Sequence, residues 1–197
     1  MYEIIGTRKS RTLRVIWMLE ELGEHYFHTD VSPRSEVVMG FNPSGKIPVL
    51  RDGDAVLTDS VAIMTYLADK HQKMTFAAGT VERARQDALT HQILDDVDAV
   101  LWTASRHSFV LPQEHRVTGI KESLRWELTV NLDRLATGLT GPFLMGDKMT
   151  VPDILLTHCL GWAIIAKFEP APPVLREYME RLRTRPAFVR AQGAAST

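Results

Sequence analysis

A chain of 197 residues, 45% hydrophobic and 24% charged, has the composition of a globular protein and can bury a core in one large or two modest domains. Its 23 Lys and Arg and 24 Asp and Glu residues give a net charge of −1, which argues against binding to nucleic acid or an anionic membrane surface. The single cysteine, Cys159, excludes an internal disulfide, and with an N-terminus that lacks a secretory signal it favours a cytoplasmic location.

The first 71 residues carry alternating strand and helix signals. The helix signal after the first strand is clear, because Val15, Met18, Leu19 and Leu22 recur at helical spacing and Gly23 supplies a stop. This order of elements predicts a small α/β sheet of the thioredoxin type. The predicted elements are strands at 2–5 and 25–31, a helix from 13 to 22, a short helix at 35–41, a hairpin at 49–57 and a helix at 60–71.

Strand signals stop at about residue 80, and helical patterns occupy most of the remaining chain. The predicted helices cover 81–106, 113–138, 150–166 and 174–183. The apolar stretch at 154–166 is too short to span a bilayer and indicates a buried helix. We therefore predict an α/β thioredoxin-like domain over residues 1–72, a linker at 73–80 and an all-helical domain over 81–197.

Three polar features of the α/β half indicate a ligand site. Ser10 precedes the first helix, Ile47–Pro48 precedes a strand, and Asp59–Ser60 begins another helix, where unpaired N–H groups favour an anion. Each feature alone has a structural explanation, since Ser and Asp are common helix caps and proline is common at a strand start. Their joint occurrence within one α/β unit favours binding.

These features resemble those of the cytosolic glutathione transferases, and the resemblance covers nearly the whole chain. The "SR-small" sequence at 10–12 is closest to bacterial and fungal members. "MTVPDILL" is similar to the family's capping motif, with Thr150 and Asp153 as a capping box and Pro152 in the first turn. The resemblance implies a homodimer and a cytoplasmic role in detoxification. The other matching stretches are "SRTLRVIWMLEELG", "NPSGKIPVL" and "LTDSVAIMTYLADKH".

The resemblance also implies how glutathione, the co-substrate, is held. Its cysteinyl backbone is expected to pair in antiparallel fashion with Ile47, which a cis bond to Pro48 keeps in place. Asp59 and Ser60 are expected to receive the γ-glutamyl end, and Lys46 to reach a glutathione carboxylate.

The chemical task is to make a thiol nucleophilic near neutral pH. Lowering a thiol pKa by about two units requires roughly 2.7 kcal/mol of preference for the anion, which a hydroxyl donor and a helix N-terminus can supply. Many family members carry a tyrosine at the end of the first strand, where this chain has Gly6 and Thr7. We predict Ser10 as the donor and Arg11 as a cationic helper, with Thr12 or Thr7 as rival donors.

The second, hydrophobic substrate is expected to bind along the first long helix of the helical domain. The candidate residues lie in "LWTASRHSFVLP" and are Trp102, Arg106, His107 and Phe109. Taken alone, Trp102 and Phe109 are better explained as core residues, and His107 as a polar residue at a helix end. The histidine and cysteine spacing matches no metal motif, so we predict no metal.

The sequence thus predicts a glutathione transferase, in which the glutathione thiolate attacks a hydrophobic electrophile. Two alternatives remain open on the same fold. One is a glutathione-dependent peroxidase or isomerase, and the other is a non-catalytic interaction protein.

Overall fold

The computed structural model describes residues 1–193, and contacts divide the chain into two compact units. One unit comprises Met1–Ala78 and, of the described C-terminal chain, residues 183–193, and the other comprises Gly79–Leu182. The division falls inside the predicted linker at 73–80. It differs from the predicted helical domain, 81–197, because the C-terminal segment belongs to the first unit.

The first unit contains a four-stranded sheet in the order β2-β1-β3-β4, covered by helices. Strand β1 is parallel to β2 and antiparallel to β3, and β3 is antiparallel to β4. This is the predicted α/β thioredoxin-like fold. Its elements are β1 (Tyr2–Ile5), α1 (Thr12–Leu22), β2 (Tyr26–Thr29), α2 (Glu36–Phe41), β3 (Val49–Asp52), β4 (Ala55–Thr58), α3 (Ser60–His71) and, near the C-terminus, α9 (Pro186–Ala191).

Helix α1 is the centre of this unit's core. Its residues Val15 to Leu19 are fully buried, and the helix ends at Gly23 in the left-handed conformation. The short helix α9, which the sequence did not predict, explains part of this burial, because the ring of Phe188 packs edge-on against that of Trp17 at 4.8 Å between centroids. A salt bridge of 2.6 Å between Arg185 and Glu21 also joins the C-terminal segment to α1.

The sheet register determines where the candidate site lies. Ile5 is paired with Val49, and Val49 is paired with Thr58. The chain segments that follow β1, precede β3 and follow β4 therefore meet at one edge of the sheet. These segments contain Gly6–Thr7, Ile47–Pro48 and Asp59–Ser60.

The second unit is helical, in agreement with the predicted all-α region. Two π-helical segments follow α4 and α5 directly, so the predicted helix at 81–106 is a continuous but irregular run. Cys159 is buried in α7, as predicted for a core residue. Among the described residues, no helix is both long and apolar enough to cross a membrane. The elements are α4 (Val81–Ile93), a π segment (Leu94–Asp98), α5 (Ala99–Ser105), a π segment (Arg106–Val110), α6 (Ile120–Gly138), α7 (Val151–Ile165) and α8 (Pro173–Arg183).

The predicted helix at 113–138 is wrong in its first seven residues. Only a single 3-10 turn, Gln113–His115, precedes the start of α6 at Ile120. Side chains compete for the main-chain groups here, because the Val117 N–H donates to Nδ1 of His107 at 3.1 Å and the Arg116 guanidinium donates to the Leu111 carbonyl at 2.7 Å. The apolar spacing in the sequence cannot reveal this competition.

Candidate functional site

Gly6 brings the segment before α1 close to the segment before β3. Its φ of +135° favours glycine. A Cβ atom at this position would lie 2.5 Å from Oγ1 of Thr12 and 2.9 Å from Cβ of Ile47. The close approach leaves no room for a side chain, so only glycine fits between Thr12 and Ile47.

The hydroxyl of Ser10, the predicted thiol donor, is occupied by its own turn. It donates to the carbonyl oxygen of Thr7 at 2.7 Å and accepts the Thr12 N–H at 3.1 Å. Its oxygen also lies 3.0 Å from Oγ1 of Thr12. Because a hydroxyl has one proton, these contacts give Ser10 a structural role in shaping the turn. The rival donor Thr12 is fully buried, and Arg11 is the half-buried residue just before α1.

Unlike the Ser10 hydroxyl, the Thr7 hydroxyl has no acceptor for its proton within residues 1–193. Oγ1 of Thr7 accepts the Lys9 N–H at 3.4 Å, and the side chain is half-buried. Among the three hydroxyls that the sequence proposed, Thr7 therefore has the open donor capacity.

The main chain at Ile47 is also open. The Ile47–Pro48 peptide bond is cis, and no described residue hydrogen-bonds to the Ile47 N–H or carbonyl. The preceding loop is fixed, since Asn42 donates its side-chain amide to the Lys46 carbonyl at 2.9 Å. At Gly45 a Cβ would lie 2.8 Å from Cγ of Arg34, so the turn again requires glycine. The Lys46 side chain is exposed.

Asp59 caps α3 from a strained backbone conformation. Its φ is +70°, and its Oδ1 accepts the N–H groups of Val61 and Ala62 at 2.9 and 3.0 Å. A non-glycine residue in such a conformation costs of order 1–3 kcal/mol, and such residues cluster at ligand clamps. Oδ2 of Asp59 makes no hydrogen bond with the described residues.

Ser60 presents two open donors at the first position of α3. Its side chain is nearly inaccessible, at 2% exposure, and its Oγ accepts from Nη1 of Arg14 at 3.3 Å. Neither the Ser60 hydroxyl proton nor its main-chain N–H has an acceptor within the described part of the chain. An anion at this helix start would therefore meet two hydrogen-bond donors and the positive end of the helix dipole.

The four candidate second-substrate residues lie on one helical run of the second unit. Trp102 belongs to α5, and Arg106, His107 and Phe109 belong to the π segment that follows. Phe109 is 68% exposed, which excludes a core role for its ring. Nη2 of Arg106 donates to Oγ1 of Thr103 at 2.9 Å, while its buried Nε has no acceptor among the described residues.

Thr150 and Asp153 form a closed capping box at the start of α7. Asp153 is fully buried and accepts four hydrogen bonds, from the Thr150 N–H and hydroxyl, the Leu144 N–H and the Tyr178 hydroxyl. Burial raises the pKa of the Asp153 carboxyl, and these donors oppose the rise. The residues described contain no cluster of three or more His, Cys, Asp or Glu side chains suited to a metal ion.

Arg14, which donates to the Ser60 hydroxyl from beneath the candidate site, is the residue that sequence reasoning missed. It interrupts the run of apolar residues from Leu13 to Leu19, and it is as buried as Val15 to Leu19. A charged residue in an otherwise apolar helix that must be buried on most sides is the signal that would have found it.

Comparison with known proteins identifies the family. The family model of the glutathione S-transferase N-terminal domain matches residues 10–70. The class-mu 26 kDa glutathione S-transferase of Schistosoma mansoni is 31% identical over 150 residues, which cover 73% of this chain and 72% of that protein. The chain belongs to the glutathione transferase family.

Solved structures of the family share the fold over the whole chain. A glutathione transferase of Methylococcus capsulatus has 26% identity and a TM-score of 0.87, with 98% of each chain covered. The theta class enzyme of Xanthomonas axonopodis pv. citri, solved with glutathione bound, has 26% identity and a TM-score of 0.80. That comparison covers all of this chain and 98% of the other.

Proposed function

We propose that this protein is a glutathione transferase that binds glutathione at the sheet edge of its first unit and activates the thiol for attack on a hydrophobic electrophile. One observation carries the proposal. The hydroxyl proton of Thr7, the main-chain N–H and carbonyl of Ile47 and both donors of Ser60 have no hydrogen-bond partner among the described residues, and the register places all three segments at one edge. The theta class relative with glutathione bound supports the choice of ligand.

The open groups match glutathione in kind. The N–H and carbonyl of Ile47 suit the cysteinyl backbone, because an extended peptide adds to a free main-chain edge. The donors of Ser60 suit the γ-glutamyl carboxylate, and Oδ2 of Asp59 suits the γ-glutamyl ammonium. The exposed Lys46 is the proposed partner of a second glutathione carboxylate.

The chemistry that we propose is stabilisation of the glutathione thiolate by Thr7. The Lys9 N–H that Oγ1 of Thr7 accepts polarises the hydroxyl and leaves its proton for the sulfur. A charge-assisted hydrogen bond contributes roughly 1.5–3 kcal/mol, and the N-terminus of α1 adds to it. Together they can lower the thiol pKa by about two units. In this assignment Thr7 replaces Ser10, which holds the turn in place.

The acceptor for the thiolate is proposed to be a hydrophobic electrophile near Trp102, Arg106, His107 and Phe109. Two features support this choice: the exposed ring of Phe109, and the buried Nε of Arg106, which has no acceptor within residues 1–193. The homodimer, the cytoplasmic location and the role in detoxification remain predictions from the family resemblance.

Calorimetry with glutathione, followed by a turnover assay with a chromogenic aryl halide, tests the proposal. Binding and turnover are expected, and the absence of binding would contradict the proposal. Binding without turnover of any electrophile would instead favour a non-catalytic interaction protein. Reduction of a hydroperoxide or isomerisation of a substrate, without transfer, would favour the glutathione-dependent peroxidase or isomerase.

A further inference from the structure

Arg14 is a fully buried arginine for which thiol activation gives no role. Its exposure is 0%, and its guanidinium donates from α1 to Oγ of Ser60 on α3, at 3.3 Å and a sequence separation of 46 residues. Burying a guanidinium is costly, and a hydrophobic residue of similar volume is often as stabilising or more so. The bond to Ser60 gives this charge a role besides packing.

The bond from Arg14 determines what the Ser60 hydroxyl can do. A guanidinium only donates, so it occupies a lone pair of Oγ and leaves the hydroxyl proton to be donated elsewhere. The side chain of a serine at a helix start usually accepts main-chain N–H groups. Here Oδ1 of Asp59 already accepts those of Val61 and Ala62. The Ser60 proton is thus kept for a group outside the described chain.

We infer that Arg14 is a positioning residue that makes Ser60 a dedicated donor to the γ-glutamyl carboxylate, so that the protein selects thiols carrying this carboxylate. The inference rests on the proposed function. Arg14 acts through Ser60 and does not contact the sulfur, so it affects ligand selection and leaves thiol activation unchanged.

The test compares glutathione with γ-aminobutyryl-cysteinyl-glycine, which lacks only the γ-glutamyl carboxylate. Calorimetry on the wild-type protein is expected to give binding of this analogue about 10- to 100-fold weaker than that of glutathione. In Arg14→Met, which fills the same volume without a donor, the ratio of the two dissociation constants is expected to fall toward one. Arg14→Lys, which restores a charged donor without the planar fork, is expected to recover an intermediate ratio.

Two further measurements separate positioning from a purely structural role. Ser60→Ala should lose the same discrimination, and Ser60→Ala combined with Arg14→Met should lose no more than either single variant. The kcat at saturating glutathione and the pH midpoint of the bound thiol should stay at the wild-type values in Arg14→Met. The matched control is Arg51→Lys, a change of an arginine that pairs with Glu3 on the sheet at 2.8 Å, and it should keep the wild-type ratio.

The inference is overturned if folded Arg14 variants discriminate as well as the wild-type protein, or if the wild-type protein binds both thiols equally. Failure of both Arg14 variants to fold would also overturn it, because the guanidinium would then serve stability. Failure of the wild-type protein to bind glutathione at all would instead overturn the proposed function, and the two failures are distinguished by the protein in which they appear.

Discussion

The starts of α3 and α7 contain similar residues but differ in whether their hydrogen-bond donors are paired. At α7, Asp153 is fully buried and accepts four donors, so both oxygens of its carboxylate are paired. At α3, Asp59 caps two N–H groups from a strained backbone, and Ser60 keeps two donors without an acceptor among the described residues. A closed cap contributes to stability alone, whereas an open one can also bind an anion. Whether the donors are paired thus distinguishes a structural helix start from a candidate binding site.

The largest expected effect lies at the closed cap. Asp153→Ala leaves four buried donors without an acceptor and should lower the free energy of unfolding by about 3–5 kcal/mol. Urea denaturation measures the loss, and the control Asp133→Ala, at an exposed position on α6, should change it by less than about 0.5 kcal/mol. A small effect of Asp153→Ala would show that the cap is not the stabilising feature proposed here.

Ser60→Ala and Thr150→Ala contrast the two starts directly. Ser60→Ala should weaken glutathione binding about 10- to 100-fold, because one hydrogen bond to a charged carboxylate is lost. Thr150→Ala should leave the dissociation constant unchanged and lower the free energy of unfolding by about 1 kcal/mol. Calorimetry and urea denaturation of both variants check this, and equal losses of binding would remove the distinction.

Two substitutions of Asp59 separate the stability gained from helix capping from the stability lost to backbone strain. Asp59→Ala removes the cap and keeps the strained φ, so it should cost about 0.5–2 kcal/mol of stability. Asp59→Gly also removes the cap but relieves the strain, and it should be more stable than Asp59→Ala by about 1 kcal/mol. Both variants lose the proposed ammonium partner and should weaken glutathione binding equally. Equal thermal unfolding of the two variants would argue against strain at this position.

The smallest effect is a difference in pH dependence between two carboxylates. The Lys70 ammonium and the Tyr66 hydroxyl hold the pKa of Asp52 below its ordinary value of 3.8, so its stabilising contribution is lost only as the pH falls through that lowered pKa. The pKa of Asp153 is raised by burial, so the pH-dependent part of its contribution to the free energy of unfolding has the opposite sign, and it decreases as the pH rises from 3.8 through that raised value.

Urea denaturation of Asp52→Asn and Asp153→Asn across the acid range measures these contributions against the wild-type protein. The stability that the wild type holds over Asp52→Asn should shrink as the pH falls below 3.8. The wild-type protein should gain stability relative to Asp153→Asn as the pH falls from the raised pKa toward 3.8. Parallel curves for the two variants would contradict the opposite shifts.

Strong local signals in the sequence were sufficient for much of the fold. Helix α3 begins at the predicted Ser60, because Asp59 caps its start, and it ends at the predicted His71. The hairpin of β3 and β4 follows from two β-prone runs around Gly53. The π segments and the irregular chain at 113–119 depend on contacts such as that of His107 with Val117, which no periodicity encodes.

The sequence indicates candidate residues for the site, but not the direction in which their hydroxyl protons point. Ser10 and Thr7 are both hydroxyls beside α1, and only the fold shows that the Ser10 proton goes to the Thr7 carbonyl. The partner of Ser60 was equally hidden, because Arg14 reaches it from another helix. Such pairings join residues that are distant in sequence, so a pattern within one segment cannot reveal them.

Titration of the bound glutathione thiol by ultraviolet absorbance of the thiolate tests the central claim most directly. In the wild-type protein the midpoint should lie about two units below that of the free thiol. Thr7→Val should return the midpoint toward the free value, and Ser10→Ala should leave it low. A midpoint that is unchanged in Thr7→Val, or that rises to the free value in Ser10→Ala, would contradict the assignment of the open hydroxyl at Thr7 as the group that activates glutathione.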